Sequence, residues 1–177
     1  MPGTRLGPLD GDRRGHFRSC RPPRRLGGLH RDRPAQLLQP TAEPASLDVA
    51  DQLEIAVRTP IVHRQTVRYA GDEPAALENA YYPDDIVAPA DPAADIEAII
   101  DAAGYRRVGW IDAVVARLAN PDEATVLGLD TGSPVIDHTR VLYSRKSGEQ
   151  VRPVEYVRTL FAGNRNRLTY EYKQLDA

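Results

Sequence analysis

Cysteine is nearly absent from this chain, since Cys20 is the single cysteine among 177 residues. One thiol excludes a disulfide scaffold and a zinc site built from several cysteines. No uncharged apolar run approaches the ~20 residues of a membrane-spanning helix, and no apolar stretch of a signal peptide follows the start. Metal-ligand spacings and glycine-rich phosphate loops are also missing. The sequence therefore predicts a cytoplasmic protein without metal or cofactor.

Lysine is missing from the most basic part of the chain. Residues 1–34 hold nine arginines against three aspartates and no lysine, although the net charge of the whole chain is −2. Residues 1–45 are rich in proline and glycine and poor in apolar residues, so we predict that they are disordered. Two interpretations stay open. The segment is either an arm that binds phosphates through counterion release, or a non-native leader from a mis-assigned start.

From Ser46 onward the pattern becomes periodic, which predicts one folded domain over residues 46–173. Cap residues, prolines at first helical positions and glycine stops indicate three helices. They are predicted in SLDVADQLEI, in DPAADIEAIIDAAGY with Asp91 as cap, and in NPDEATVLGL with Asn120 as cap. Alternating β-branched stretches between and after them predict strands. These strands are Thr59–Ala70, EPAALENAYY, 105–118, SPVIDHTRVLYS, VRPVEYVRTLFA and a final RLTYEY.

Two predicted hairpins resemble each other. The stretch Thr59–Val62 aligns with Ser133–Ile136, and after five inserted turn residues Pro74 aligns with Pro153. Repeated hairpins joined by helices predict an α+β fold with an antiparallel sheet. A cleft between two such halves is a common place for a small ligand.

Three segments in this order closely resemble the UTRA domain, the effector-binding module of the HutC branch of the GntR-family transcription regulators. They are TPIVHRQTVRYAGDEPAALENAYYP, ANPDEATVLGLDTGSPVIDHTRVLYS and RPVEYVRTLFAGNRNRLTYEY. The resemblance runs from about Val49 to Tyr172. It implies the chorismate-lyase-like α+β fold and a small-molecule effector. Family members also begin with a winged helix-turn-helix, which these residues do not show.

A second departure from the family concerns the strand expected just before Ser46. The stretch AQLLQPTAEPA contains prolines that interrupt a strand. We therefore expect this strand to be missing and the sheet to have an unpaired edge there.

The resemblance places an anion-holding Arg-x-Arg pair of the family at Thr66 and Arg68. An arginine fork pairs with a carboxylate or phosphate through two hydrogen bonds, and one fork remains here. Glu78 matches a family glutamate that accepts hydrogen bonds from the ligand. Arg68 and Glu78 lie on paired strands, so a simple cross-strand ion pair is the alternative for both.

The resemblance adds three candidate positions at the pocket, where the family's helix start points its backbone N–H groups. Asp95 and Glu97 lie near the start of the helix expected at Pro92, and Phe161 matches a pocket aromatic. The alternatives are a favourable charge at the helix start for the acids and core packing for Phe161. An acidic group at the pocket, together with Thr66, favours a neutral, zwitterionic or amine-bearing effector over a sugar phosphate. Glu155 and Arg158 are left open between pocket and solvent.

An enzyme is the rival class, because the fold relative is a lyase acting on a small carboxylate. His63 and His138 lie at nearly equivalent repeat positions, but no serine or cysteine nucleophile is spaced to pair with either. We therefore predict a non-enzymatic sensor. The resemblance implies a homodimer, or a mixed dimer with a full-length regulator, that reaches DNA through a winged-helix domain.

Overall fold

The computed structural model describes residues 35–88 and 94–170. Seven strands and three helices lie in these residues. In chain order they are β1 (Gln36–Leu37), β2 (Thr41–Pro44), α1 (Leu47–Leu53), β3 (Pro60–Ala70), β4 (Glu73–Pro83), α2 (Ile96–Ala102), β5 (Tyr105–Leu118), α3 (Pro121–Leu127), β6 (Pro134–Lys146) and β7 (Arg152–Ala162). All strand pairs are antiparallel and form one sheet, so the predicted α+β class is confirmed.

The strand order is β1-β3-β4-β7-β6-β5, with β2 also paired to β3. β4 and β7 join the two hairpins at the centre of the sheet. β5 forms one edge, and the short strands β1 and β2 together form the other.

The duplication is larger than the sequence predicts, because the whole unit β2–α1–β3–β4 recurs as β5–α3–β6–β7. Ser46 and Asn120 cap the equivalent helices α1 and α3. Strand register is also repeated, since β2–β3 and β5–β6 pair equivalent residues. Both hairpins carry a register shift at the same place, after Arg68 in β3 and after Leu142 in β6. A β-bulge at equivalent positions is a structural feature of each hairpin rather than a local irregularity.

The two faces of the sheet are covered by different helices. On one face, α1 and α3 pack their buried residues, such as Leu53 and Leu127, against two apolar clusters of the strands. On the opposite face, Ile100 of α2 belongs to a third apolar cluster, which includes Val62 and Leu142. We call this opposite side the α2 face.

Two sequence predictions about the ends of the domain are wrong. The strand before Ser46 is present, because β1 and β2 pair with β3 despite the prolines. Those prolines limit the edge strand to two short pieces, but they do not remove it. The final strand is absent over residues 167–170, and residues 171–172 lie outside the described part. β7 is already paired on both sides, so a strand directly after it has no open neighbour there.

The start of α2 also differs from the prediction. The helix begins at Ile96, and Asp95 is its N-cap. Asp91 and Pro92, the predicted cap and first helical residue, lie outside the described residues. Among the described residues, no helix has the length and hydropathy needed to cross a membrane.

Candidate functional site

A cavity of about 230 Å³ opens on the α2 face of the first repeat. Its walls combine two arginines, a glutamate, a hydroxyl and a phenol with small apolar groups. The lining residues are Ala35, Leu37, Arg64, Thr66, Arg68, Glu78, Ala80 and Tyr82. Six of them lie on β3 and β4 of the first repeat, and Ala35 and Leu37 lie at β1, so this cavity does not lie between the two halves.

Strand register explains why these side chains meet. Thr66 pairs with Glu78 across β3 and β4, and Arg64 pairs with Ala80. Opposed residues of antiparallel strands point to the same face, as do alternate residues along each strand. Three of the sequence-predicted site residues, Thr66, Arg68 and Glu78, are therefore brought together by the hairpin.

Arg68 and Glu78 form an ion pair at the rim of the cavity. Arg68 Nη2 donates to both carboxylate oxygens of Glu78, at 2.8 and 2.9 Å. The Arg68 side chain is 46% exposed and that of Glu78 is 24% exposed. The cross-strand ion pair between Arg68 and Glu78 is thus present. Contact of these two residues with a ligand stays a prediction.

Arg64 is a cavity residue that the sequence reasoning missed. Its Nη1 donates to the carbonyl oxygen of Ala94, at 3.3 Å. This bond links β3 to the segment just before α2. The Arg-x-Arg positions of the family are Thr66 and Arg68 here, and Arg64 lies two residues before Thr66 in β3, on the same face of the sheet.

Tyr82 connects the cavity to the second repeat. Its hydroxyl donates to Glu155 Oε1 at 2.8 Å. Desolvation raises the pKa of the half-buried Glu155, although the Tyr82 hydrogen bond opposes the shift. Burial, reinforced by Glu155, also raises the pKa of Tyr82 well above its ordinary value. Glu155 therefore points to the α2 face, but it is not among the residues that line this cavity.

We expect Glu155→Gln to stabilise the protein at neutral pH. A carboxyl whose folded-state pKa is raised costs stability as pH rises from the ordinary glutamate pKa through the raised value. Glutamine keeps an acceptor for the Tyr82 hydroxyl and removes that cost. We expect the free energy of unfolding to rise by an amount on the order of 1 kcal/mol. Urea unfolding at pH 7 and pH 4 measures it. A gain of equal size at both pH values would contradict the assigned cause.

Asp95 and Glu97 do not line the cavity that contains Thr66, Arg68 and Glu78. Asp95 is exposed and caps α2, with its Oδ1 accepting from the Ala98 N–H at 3.2 Å. Glu97 forms an ion pair with Arg107 on β5. Glu97 lines a different cavity, of about 170 Å³, with Ile100, Asp101, Arg107, Leu142 and Ser144.

Ser144 is the unusual residue of this second cavity. It is only 1% exposed, and its Oγ has no hydrogen-bond partner among the described residues. An unsatisfied buried hydroxyl costs about 1–3 kcal/mol. We therefore expect Ser144→Ala to raise the free energy of unfolding by about 1 kcal/mol, with the exposed Ser147→Ala as a neutral control. Urea denaturation checks this, and a clear loss of stability in Ser144→Ala would show that the hydroxyl is satisfied.

Phe161 lies on the α2 face but lines neither cavity. It is half-buried in β7, and its ring centroid lies 6.4 Å from that of His138. His138 Nε2 lies 3.2 Å from Asp112 Oδ1 without hydrogen-bond alignment. His63 stacks on Tyr81 at 4.5 Å.

Arg158, the other position left open by the sequence, points away from the cavities. On the face of α1 and α3, its guanidinium donates to both oxygens of Asp137, at 2.6 and 3.0 Å. Among the described residues, no group of three or more histidine, cysteine, aspartate or glutamate side chains is arranged to hold a metal.

A curated protein similar to this chain is named as a transcriptional regulator. An uncharacterised HTH-type transcriptional regulator of Rhizobium meliloti (strain 1021) is 31% identical over 153 residues, which is 82% of this chain and 60% of that protein. The chain thus spans about 60% of the length of this curated relative.

Solved structures share the fold. A putative transcriptional regulator from Streptomyces coelicolor matches with a TM-score of 0.66 and 25% identity, over 83% of this chain and 97% of that one. A GntR-family regulator from Enterococcus faecalis V583 matches with a TM-score of 0.69 and 22% identity, over 78% of this chain and 100% of that one.

The family assignment rests on a broader match. The sequence profile of the UTRA domain matches residues 30–167, which is more than half of the chain. The matched range includes β1 and β2, the two strands that the sequence reasoning did not predict. The protein therefore belongs to the UTRA domain family.

Proposed function

We propose that the cavity formed by Arg64, Thr66, Arg68, Glu78 and Tyr82 is the effector site of this protein. A UTRA domain is the effector-binding part of a transcription regulator, and this chain is such a domain. This location is supported by one observation: the five polar side chains converge on one concave surface. Pockets of this kind, with a few convergent polar groups, are where small ligands bind.

The charges of the lining favour a zwitterionic effector. The cavity carries two arginines and one glutamate, and Arg68 is already paired with Glu78. A ligand carboxylate fits the guanidinium of Arg64, and a ligand ammonium fits the carboxylate of Glu78. Two arginines and one glutamate give the lining a single net positive charge, and Glu78 repels the second negative charge of a sugar phosphate but attracts an ammonium, so the zwitterion fits better. Asp95 lies outside this lining and contributes nothing to the preference.

A thermal-shift screen of the full chain tests the proposal. The panel contains amino acids, the matching amines and carboxylates, neutral sugars and sugar phosphates. A specific ligand at about 100 times its Kd adds about 2.7 kcal/mol of stability. We expect the hit to be an amino acid or related zwitterion. Tight binding of a sugar phosphate would overturn the charge assignment.

We also propose that binding occurs without turnover. The relative from Rhizobium meliloti and the structural neighbours are named as regulators, which supports a sensor over a chorismate-lyase-like enzyme acting on a small carboxylate. NMR of the hit after long incubation with the protein is expected to show the ligand unchanged. New product signals that depend on the protein would favour the enzyme.

In the regulator as a whole, we propose that the domain works as a homodimer or a mixed dimer with a full-length regulator of the HutC branch. DNA is then bound by a winged-helix domain, and an effector shifts the equilibrium between two arrangements of the DNA-binding domains. A ligand shifts such an equilibrium only through its different affinities for the two states.

A further inference from the structure

The cavity that contains Ser144, called the Ser144 cavity below, lies between α2 and the strands β5 and β6. Its volume is about 170 Å³. That is roughly ten times the space that one water molecule needs. Two buried apolar side chains, Ile100 and Leu142, form part of its wall. The charged lining residues have exposed side chains and lie at the opening; they are Glu97, Asp101 and Arg107. The cavity therefore has room for a small organic molecule, with an apolar interior and a charged opening.

The polar group of the interior is the hydroxyl of Ser144, which has no hydrogen-bond partner among the described residues. Buried polar groups are almost always hydrogen-bonded, so this exception calls for an explanation. In the first repeat the equivalent residue is Ala70, because Arg68 and Leu142 precede the same register shift by one residue. The fold thus accepts a side chain without a hydroxyl at this position. A group that costs stability without a structural benefit is typical of a binding site.

The charges at the opening favour a cation. Glu97 and Asp101 are four residues apart on α2, and residues with this spacing lie on the same side of a helix. Two acids and one arginine, Arg107, give the lining a net charge of −1. Glu97 is paired with Arg107, whereas the Asp101 carboxylate lies 3.5 Å from the exposed Arg106. An exposed ion pair contributes little, so Asp101 is able to bind a ligand ammonium instead.

We propose that the Ser144 cavity binds a short amino alcohol. The ligand hydroxyl bonds Ser144 Oγ, and the methylene groups of the ligand pack on Ile100 and Leu142. The ammonium lies beside the carboxylates of Glu97 and Asp101. Such a molecule satisfies the buried hydroxyl, fills the apolar interior and neutralises the net charge of the lining. A simple alkylamine leaves Ser144 without a partner, and a hydroxy acid brings a carboxylate to an acidic opening.

The inference goes beyond the effector cavity, because the two cavities share no lining residue. An NMR titration of the full chain with linear aminobutanol, which has its hydroxyl and ammonium at opposite ends, tests it through the backbone signals around Ser144. Butylamine lacks the hydroxyl and should bind about 2- to 12-fold more weakly, the range for one hydrogen bond. γ-Hydroxybutyrate carries a carboxylate in place of the ammonium and should leave these signals unchanged. Unmoved signals with aminobutanol, or equal affinities for two of the three probes, would overturn the proposal.

Ser144→Ala distinguishes a ligand contact from a purely structural role. We expect this variant to fold, as Ala70 at the equivalent position indicates, and to bind aminobutanol and butylamine equally. The exposed Ser147→Ala is the matched control that keeps the preference for aminobutanol. Asp101→Asn should weaken the binding of both amines, and it keeps the hydroxyl of Ser144. A preference that survives in Ser144→Ala, or unchanged binding in Asp101→Asn, would contradict the site.

One further variant separates this site from the effector cavity. Glu78→Gln changes the effector cavity alone, so aminobutanol should bind it as it binds the wild type. Weaker binding of aminobutanol to Glu78→Gln would place the probe in the effector cavity and overturn the proposal. Failure of the screen for an effector leaves these titrations unaffected, since they use different residues and a different ligand.

Discussion

Asp137→Ala is expected to cost about 1.5–3 kcal/mol of folding free energy, because Arg158 and Arg117 lose the carboxylate that they share. The Asp137 side chain is 9% exposed. It accepts from Arg158 at 2.6 Å and from Arg117 at 2.8 Å. Arg117 in turn holds Glu123, which closes the capping box of α3. One substitution therefore disturbs the centre of the sheet and the start of a helix.

The pH dependence of this loss gives a second readout. Burial opposes ionisation of Asp137, but the hydrogen bonds from Arg158 and Arg117 outweigh it, so the pKa lies below its ordinary value. A carboxylate with a lowered pKa contributes stability above the unfolded pKa of about 3.9 and loses it as pH falls through the folded value. Urea unfolding should show the difference between wild type and variant shrinking in acid. The exposed Asp130→Ala should cost less than about 0.5 kcal/mol. Equal losses in both variants would contradict the network.

Arg64→Ala is expected to weaken effector binding by about 10- to 150-fold, since a hydrogen bond to a charged group contributes about 1.5–3 kcal/mol. Arg64 lines the cavity and donates to the Ala94 carbonyl oxygen, so its loss removes the proposed ligand contact and a link to the segment before α2. Glu78→Gln is expected to act in the same range on ligands with an ammonium group. Calorimetric titration of the screening hit measures both.

The matched control for these variants is Arg145→Ala, an exposed arginine of β6 outside the cavity. We expect it to bind like wild type. A ligand that carries no ammonium should lose affinity in Arg64→Ala but not in Glu78→Gln. Unchanged affinity in both cavity variants would place the effector elsewhere.

Local sequence rules predicted the elements whose ends are set by their own residues. Helix α3 begins after Asn120 and ends at Gly128 because the capping box and the left-handed cap are local interactions. The start of α2 was misplaced because Asp91-Pro92 and Asp95 both fit a cap, and local sequence alone does not rank them. The strands before Ser46 were missed because pairing with β3 outweighs the prolines, which is a tertiary effect.

The candidate site was predictable only where a single hairpin builds it. Thr66, Arg68 and Glu78 lie on paired strands, so their proximity follows from the hairpin alone. The link from Tyr82 to Glu155 joins residues 73 positions apart, through the pairing of β4 and β7. No local sequence pattern predicts a contact between residues so far apart in the chain.

We propose above all that the effector binds in the cavity beside β3 and β4. A crystal structure of the full chain with the hit from the thermal-shift screen tests it most directly. We expect ligand density between Arg64, Glu78 and Tyr82, with a carboxylate on Arg64 and an ammonium on Glu78. Ligand density confined to the cavity of Ser144 or to any other surface would contradict it.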